Sequence, residues 1–379
     1  MLRITCLVLL SIFFIVAIIF IVLLIIYPSS SGCKPTITTA SGEFAVSGEI
    51  CAGNLIFEEN FETLDKRKWQ PEVTFWGGGN GEFEWYTADD VNSFVKNKKL
   101  YIKPTLTANK IGYDAVEHGY VRLDDCTDPD KTQCERQAGG NIIINPVQSA
   151  RLTTEKSFSF KYGRVEVIAK LPTADYLWPA VWLMPRVSKY GLWPRSGEID
   201  LMESRGNNNY TDLNGIQFGA KRTTSTLHFG PSSQLDKWQT STYAKINETG
   251  FNNGFHIYEF IWNEKGFIFY VDRAEIGSVP VGDGFWKRGD FQGNDIWASG
   301  TKMAPFDQKF HFIINLAVGG TTNYFPSDFL NENGPKPWND TSPSAMKDFW
   351  ANREQWLPTW DLEGDDSSLI VDSIKVWAA

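Results

Sequence analysis

Three carboxylates, Glu198, Asp200 and Glu203, fall within the six residues EIDLME of the segment WPRSGEIDLMES. Two carboxyl groups held a few ångströms apart can divide the work of glycoside hydrolysis. One attacks as an ionised nucleophile and the other, protonated, hands its proton to the leaving oxygen. A third acid between them can hold the pair in those states by sharing hydrogen bonds and repelling a second charge. On a plain strand Glu198 and Asp200 share a face, whereas Glu203, five positions from Glu198, points the other way. One extra residue in a β-bulge returns it, and Leu201–Met202 is the expected place. Four strand steps at ~3.3 Å then leave roughly 13 Å between the glutamate backbones. Side chains leaning inward could approach the ~5–5.5 Å carboxyl gap of a retaining glycosidase. A solvated acidic strand edge has the same spacing; the apolar residues between the acids and the tryptophans around them argue against it.

Sugar rings stack flat C–H faces on indole while their hydroxyls bond to polar neighbours. Trp178 and Trp182 lie in LWPAVWLMP, just before the acids, and Trp193 and Arg195 immediately precede them. His228 follows in TLHFG, and WGGGNGEFEWYT supplies Trp76, Asn80 and Glu82. A lone tryptophan is more often core than ligand site; their concentration beside three acids favours a sugar cleft. The Gly77–Gly79 run has no helix after it to cradle phosphate and suits close backbone approach to a ligand.

Positioning these residues calls for strands. Short apolar runs recur between turn signals: 164–171, 198–203, 256–263, 267–272, 310–318 and 369–377. Several alternate apolar and polar residues, the period of a half-buried strand. A short helix is expected around Ser344–Trp356. No long repeat is visible, and strands continue from Leu55 to the end without a linker, which predicts one all-β sandwich domain over 55–379. The 15 Trp, 13 Tyr and 26 Phe supply ample apolar surface, which excludes disorder. A net charge of −9 with no basic block leaves no footprint for nucleic acid. No nucleophile elbow, P-loop or H-E-x-x-H motif occurs. No cofactor or metal site is expected; the acidic loops would allow a structural calcium but contain no EF-hand spacing.

From Ile4 to Tyr27 no residue carries a charge. As a helix at ~1.5 Å per residue this run covers roughly 36 Å, enough for a ~30 Å bilayer core. It exceeds the ~7–15 apolar residues of a signal peptide and lacks an Ala-x-Ala site, although Ser29–Gly32 would permit cleavage. An uncleaved signal anchor over 1–27 is therefore expected. It would place the body on the extracellular side of a membrane contacted through residues 4–27, or secreted if cleaved. Residues 28–54, rich in Ser, Thr and Gly, read as a stalk. Cys6 falls within the span. Cys33, Cys51, Cys126 and Cys134 allow three pairings, of which Cys33–Cys51 with Cys126–Cys134 is the simplest. Sequons at Asn209, Asn247 and Asn339 are candidate glycosylation sites.

SGEIDLMES resembles the E-x-D-x-x-E signature of glycoside hydrolase family 16, in its laminarinase branch. YGRVEVIAKLP, LWPAVWLMP, STLHFG, FHIYEFIWNEKGFIFYVD and FHFIINLAVGG resemble the rest of that frame. PRSGEIDLMESRGN, MKDFWANREQWLPTW and the Cys126–Cys134 loop are similar to the invertebrate β-1,3-glucan-binding proteins and their β-1,3-glucanase relatives. The resemblance covers about residues 50–379. It implies a concanavalin-like β-jelly-roll sandwich with a concave glucan-binding cleft, here preceded by an N-terminal hydrophobic helix. It also implies a retaining mechanism, with Glu198 as nucleophile, Glu203 as general acid/base and Asp200 as the supporting acid. Trp178, Trp182, Arg195 and His228 match positions that line the cleft, as do Asn80 and Glu82.

Two functions follow from the resemblance: an endo-β-1,3-glucanase, or a β-1,3-glucan pattern-recognition protein of innate immunity with little or no hydrolysis. Relatives that only recognise glucan have often lost a catalytic glutamate, and the three acids kept here favour the enzyme. Arg288-Gly289-Asp290 spells an integrin-type tripeptide, but three residues recur by chance and this partner is not expected.

Overall fold

The computed structural model describes residues 32–379. Two large antiparallel sheets stack face to face. One has nine strands, the other eight. At the middle of the nine-stranded sheet lie β1 (Leu177–Pro185), β2 (Glu198–Ser204), β3 (Arg222–His228) and β4 (Phe310–Val318), adjacent in the order β4-β1-β2-β3. The eight-stranded sheet is centred on Gly163–Lys170, flanked by His256–Asn263 and Leu369–Trp377. The strands expected over 256–263, 310–318 and 369–377 form with those bounds. The fold is the expected all-β sandwich.

Period-two side-chain alternation builds both the core and the site. On β4 every residue is buried. Phe310, Phe312, Ile314, Leu316 and Val318 enter the inter-sheet core, which leaves Asn315 and its alternates on the opposite face. Trp262, from the other sheet, meets Phe160 and Phe310 edge to face, at centroid distances of 5.7 and 5.5 Å. These quadrupole-matched contacts add to the area they bury.

Three features differ from the sequence reading or add to it. The helix expected around 344–356 forms as two pieces, Ala345–Ala351 and Arg353–Trp356, separated at Asn352. Residues 32–54, read as a stalk, run along the body: Thr39–Ser41 pairs with Ser159–Lys161, and Ala52 N–H donates to the Lys34 carbonyl. A compact insert over 107–145 carries two short helices and the hairpin Tyr120–Arg122/Glu135–Gln137. It has a small core of its own, in which Leu123, Ala138 and Ile144 pack with Val73, Phe75 and Trp85. Both cysteine pairs, Cys33–Cys51 and Cys126–Cys134, are disulfide-bonded.

The single-pass anchor is corrected. Among the described residues no helix is long and apolar enough to cross a membrane. The seven residues of Ala345–Ala351 span only about 10 Å of a ~30 Å core. Residues 4–27, including Cys6, on which the anchor and the N-terminal helix were placed, lie outside the described residues. At the sequons, Asn339 is exposed and Asn247 half-buried, each accepting from the threonine two residues on. Asn209 instead donates its amide to Glu332 (2.8 Å). Arg288 is half-buried at the end of a short helix, bonded to the Pro280 carbonyl (3.3 Å), with Gly289 buried beside it.

Candidate active site

The acids stand on β2 and depend on a bulge. Against β3, Asp200 pairs with Thr226 and Glu203 with Thr224, so three residue steps on β2 face two on its neighbour. Against β1, Asp200 faces Trp182 and Met202 faces Val181, with Leu201 the extra residue. Leu201 and Met202 are both fully buried, which ties the bulge to the core. The Leu201 carbonyl, displaced from the regular ladder, accepts the Ser225 hydroxyl (2.6 Å). An orphaned buried carbonyl would otherwise cost ~1–3 kcal/mol. Glu198, Asp200 and Glu203 consequently line one hollow.

β1 forms the hollow's floor. Trp178, Ala180 and Trp182 share a face at two-residue spacing, and the small Ala180 pairs directly with Glu203. This leaves open space between two indoles beside the acids. The Trp178 Nε1–H donates to Glu203 Oε1 (2.9 Å), and the Trp193 Nε1–H donates to Glu198 Oε2 (2.7 Å). Trp178 itself is stacked on Tyr324, with centroids 3.6 Å apart. On the next strand His228 presents Nε2 to Asp200 Oδ2 (3.2 Å) and lies 4.0 Å from Glu198 Oε1. Its Nδ1 meets Asp236 Oδ2 at 2.5 Å, and Asp236 is fixed by the Phe229 backbone N–H (3.0 Å).

Burial, then the neighbouring Asp200 charge, pushes the Glu198 carboxyl up to about 8. Burial and the Glu203 charge raise Asp200 to about 6. Burial raises Glu203 too, opposed by the charge of His228 and the Trp178 hydrogen bond. For His228 burial disfavours the charge, but the hydrogen bonds to Asp200 and Asp236 and the Glu198 charge outweigh it and hold the imidazole well above its usual range. The cluster therefore keeps a carboxyl proton near neutral pH while carrying an imidazolium beside it. Atoms of Glu198, Asp200 and His228 lie within 4.8 Å of one another, a spacing a metal could bridge.

A hydrogen-bonded chain continues from Trp182. Its Nε1–H donates to Asn315 Oδ1 (2.7 Å), Asn315 Nδ2 to the Tyr86 hydroxyl (3.0 Å), and Tyr86 to Glu82 Oε2 (3.0 Å). Asn80 Nδ2 donates to the other Glu82 oxygen (3.0 Å). The Arg151 guanidinium lies 4.8 Å from the Trp182 centroid and 5.8 Å from that of Trp76, and its Nε pairs with Glu72 Oε1 (3.1 Å).

Thus Trp178, Trp182, Asn80 and Glu82 line the hollow with the three acids; Trp193 and His228 reach the acids directly, and Trp76 stands one guanidinium beyond Trp182. Arg195 does not join them. Its carbonyl accepts from Trp297 (2.7 Å), and its side chain lies against Gly191. Arg151, Asn315, Asp236 and Tyr324 were missed. Asn315 had a signal, as the single amide in the apolar run FHFIINLAV. A larger surface groove of about 670 Å³ lies apart from the acids, and its single carboxylate, Asp348, is taken up by Ser342 and Ser344.

A family model described as glycosyl hydrolases family 16 matches residues 122–286. A beta-1,3-glucan-binding protein of Penaeus monodon is 42% identical over 340 residues, covering 85% of this chain and 90% of the relative. A glucan endo-1,3-beta-glucosidase A1 of Niallia circulans is 32% identical over 72% of this chain, which corresponds to 34% of its own length. The solved laminarinase of Rhodothermus marinus superposes with a TM-score of 0.54 at 23% identity, covering 86% of this chain and 98% of that one, and shares the fold.

Proposed function

Because the chain belongs to family 16 of the glycosyl hydrolases, we propose that it is an endo-acting β-1,3-glucanase working by retention. The observation that carries this reading is the bulge that turns Glu203 to the face of Glu198 and Asp200, beside an indole-lined hollow. In the first step the Glu198 carboxylate forms a bond to the anomeric carbon. The glycosidic bond breaks, and the Glu203 carboxyl proton goes to the leaving oxygen. In the second, Glu203, now ionised, takes a proton from water, whose oxygen displaces Glu198 from the same carbon. Two inversions give net retention.

At rest burial raises both glutamates, Glu198 to about 8, so Glu198 gives up its proton before it attacks. The His228 charge and the Trp193 N–H favour the ionised form of Glu198, and the His228 charge and the Trp178 N–H favour that of Glu203. Asp200, between them, holds His228 in place and repels a second negative charge, which keeps the shared proton on the strand. A glucan is neutral, and the −9 chain needs no basic steering to meet it.

Incubating laminarin with wild type and with Glu198→Gln tests the reading. Release of oligosaccharides by wild type alone, with the anomeric configuration retained, supports it; two equally silent proteins sink it. The second reading, glucan capture with little hydrolysis, is favoured by what the Penaeus monodon relative's name says of that protein. It predicts that wild type binds laminarin and releases nothing.

A further inference from the structure

Trp76 is 47% exposed, yet it ends a segment, Val73–Phe75, that is buried. On one edge this segment touches the body through Thr74, which exchanges two backbone hydrogen bonds with Tyr86 (3.2 and 3.1 Å). Its other edge is bonded throughout to the disulfide-closed loop. Thr127 N–H donates to the Val73 carbonyl (3.0 Å), and Val73 N–H to the Thr127 hydroxyl (2.9 Å). The Thr74 hydroxyl donates to Asp128 (2.8 Å), and Phe75 N–H to the Gln133 carbonyl (2.9 Å). Arg136 donates to the Phe75 carbonyl (3.0 Å), and Cys126–Cys134 closes the loop from which most of these partners come.

Beyond Trp76 the chain is fixed from the cleft side. Gly78 has φ of +61°, and a Cβ there would fall 2.1 Å from Glu82 Oε1, so only glycine lets the backbone close over that carboxylate. Trp76 is thus suspended between a cleft residue and a covalently closed loop. The order running outward from the acids is Trp182, Arg151, Trp76.

We propose that the Cys126–Cys134 loop is a positioning device for an outer sugar-binding surface at Trp76, and that Asp128, Thr127 and the disulfide act through Trp76 to set affinity for chains long enough to reach it. The inference rests on the glucan reading of the cleft. Short glucans fill the hollow between Trp178 and Trp182 and do not touch Trp76, so the loop discriminates by chain length. Holding an indole in its bound orientation removes an ordering cost that the ligand would otherwise bear.

Calorimetric titration of the full chain tests this with a β-1,3-linked glucose disaccharide and hexasaccharide, using Glu198→Gln throughout to suppress turnover. In that background Cys126→Ser/Cys134→Ser is expected to raise the hexasaccharide Kd roughly tenfold, the scale of one aromatic contact, and to leave the disaccharide Kd unchanged. Thr74→Val, which removes the tie to Asp128 together with the hydroxyl that accepts the Trp76 N–H (3.0 Å) and leaves the disulfide intact, is expected to raise the hexasaccharide Kd about threefold, with the same selectivity. Equal weakening for both ligands, or no change for the hexasaccharide in either variant, overturns the positioning role. Failure of the parent to bind either saccharide overturns the glucan reading itself.

Discussion

The acid strand and the outer wall are held in opposite ways. Glu198, Asp200 and Glu203 stand on β2 in mid-sheet, anchored by Leu201 and Met202 in the main core. Trp76 hangs from a segment outside both large sheets, supported by a six-residue cluster and a disulfide. Bond-breaking chemistry needs carboxyls placed within a fraction of an ångström, and a packed core supplies that rigidity. Chain recognition tolerates slack and can be built on an appended lobe. The difference predicts that damage to the first region abolishes turnover, and damage to the second changes which glucans bind.

The largest effect is expected at Glu203. Glu203→Gln keeps the shape and removes the transferable proton, so laminarin turnover falls by about 10²–10⁴-fold while laminarin still binds. Turnover within tenfold of wild type would remove Glu203 from the chemistry.

Next come paired core deletions, one in each region. Phe312→Ala empties a site stacked among Phe57, Phe158 and Phe160, and costs about 3–5 kcal/mol of global stability in denaturant titration. Phe75→Ala removes a ring stacked on Trp85, 4.9 Å away, in the small cluster; it raises KM for long glucans while the main unfolding transition shifts far less. Equal shifts in the main transition would mean that the two regions unfold as one.

Trp178→Phe keeps the ring and removes the N–H from Glu203. That donor favours the carboxylate, so its loss raises the Glu203 pKa. The alkaline limb of the pH–rate profile should then move up by about one unit, since a charged hydrogen bond is worth ~1.5–3 kcal/mol. An unmoved limb would separate Glu203 from the proton that controls the rate.

The smallest effect is on stability. Glu198 is raised from 4.5 to about 8 and Asp200 from 3.8 to about 6. The folded state binds these protons more tightly than the unfolded chain. Their contribution is full below the unfolded values and is lost as pH climbs through about 6 to 8. Glu198→Gln removes its share of that loss. Its Tm should match wild type near pH 4 and exceed it near pH 9. A gain that is the same at both pH values would contradict the buried-acid account.

The two regions also differed in how far the sequence revealed them. The strands at 256–263, 310–318 and 369–377 were legible because alternation and long apolar runs leave little choice of face or length. The bulge could be placed because three acids cannot share a face without it, and the structure puts the extra residue at Leu201. Asp236 was not legible: it reaches His228 through short turns after β3, and no local pattern marks it. Arg151 and Tyr324 come from distant segments and acquire their roles only by stacking on Trp182 and Trp178. The insert's helices, four and six residues long, are too short to show a helical period and owe their form to packing around Val116, Leu123 and Ile144.

The central claim is that Glu198 becomes covalently bonded to sugar. A β-1,3-linked glucose oligosaccharide carrying fluorine at C2 and a fluoride leaving group at C1 should slow the second step and trap that bond. Peptide mass mapping of the trapped protein is predicted to find one glycosyl adduct, on Glu198, absent from Glu198→Gln. An adduct on another carboxylate, or turnover of the unmodified glucan with inverted configuration and no adduct, would contradict it.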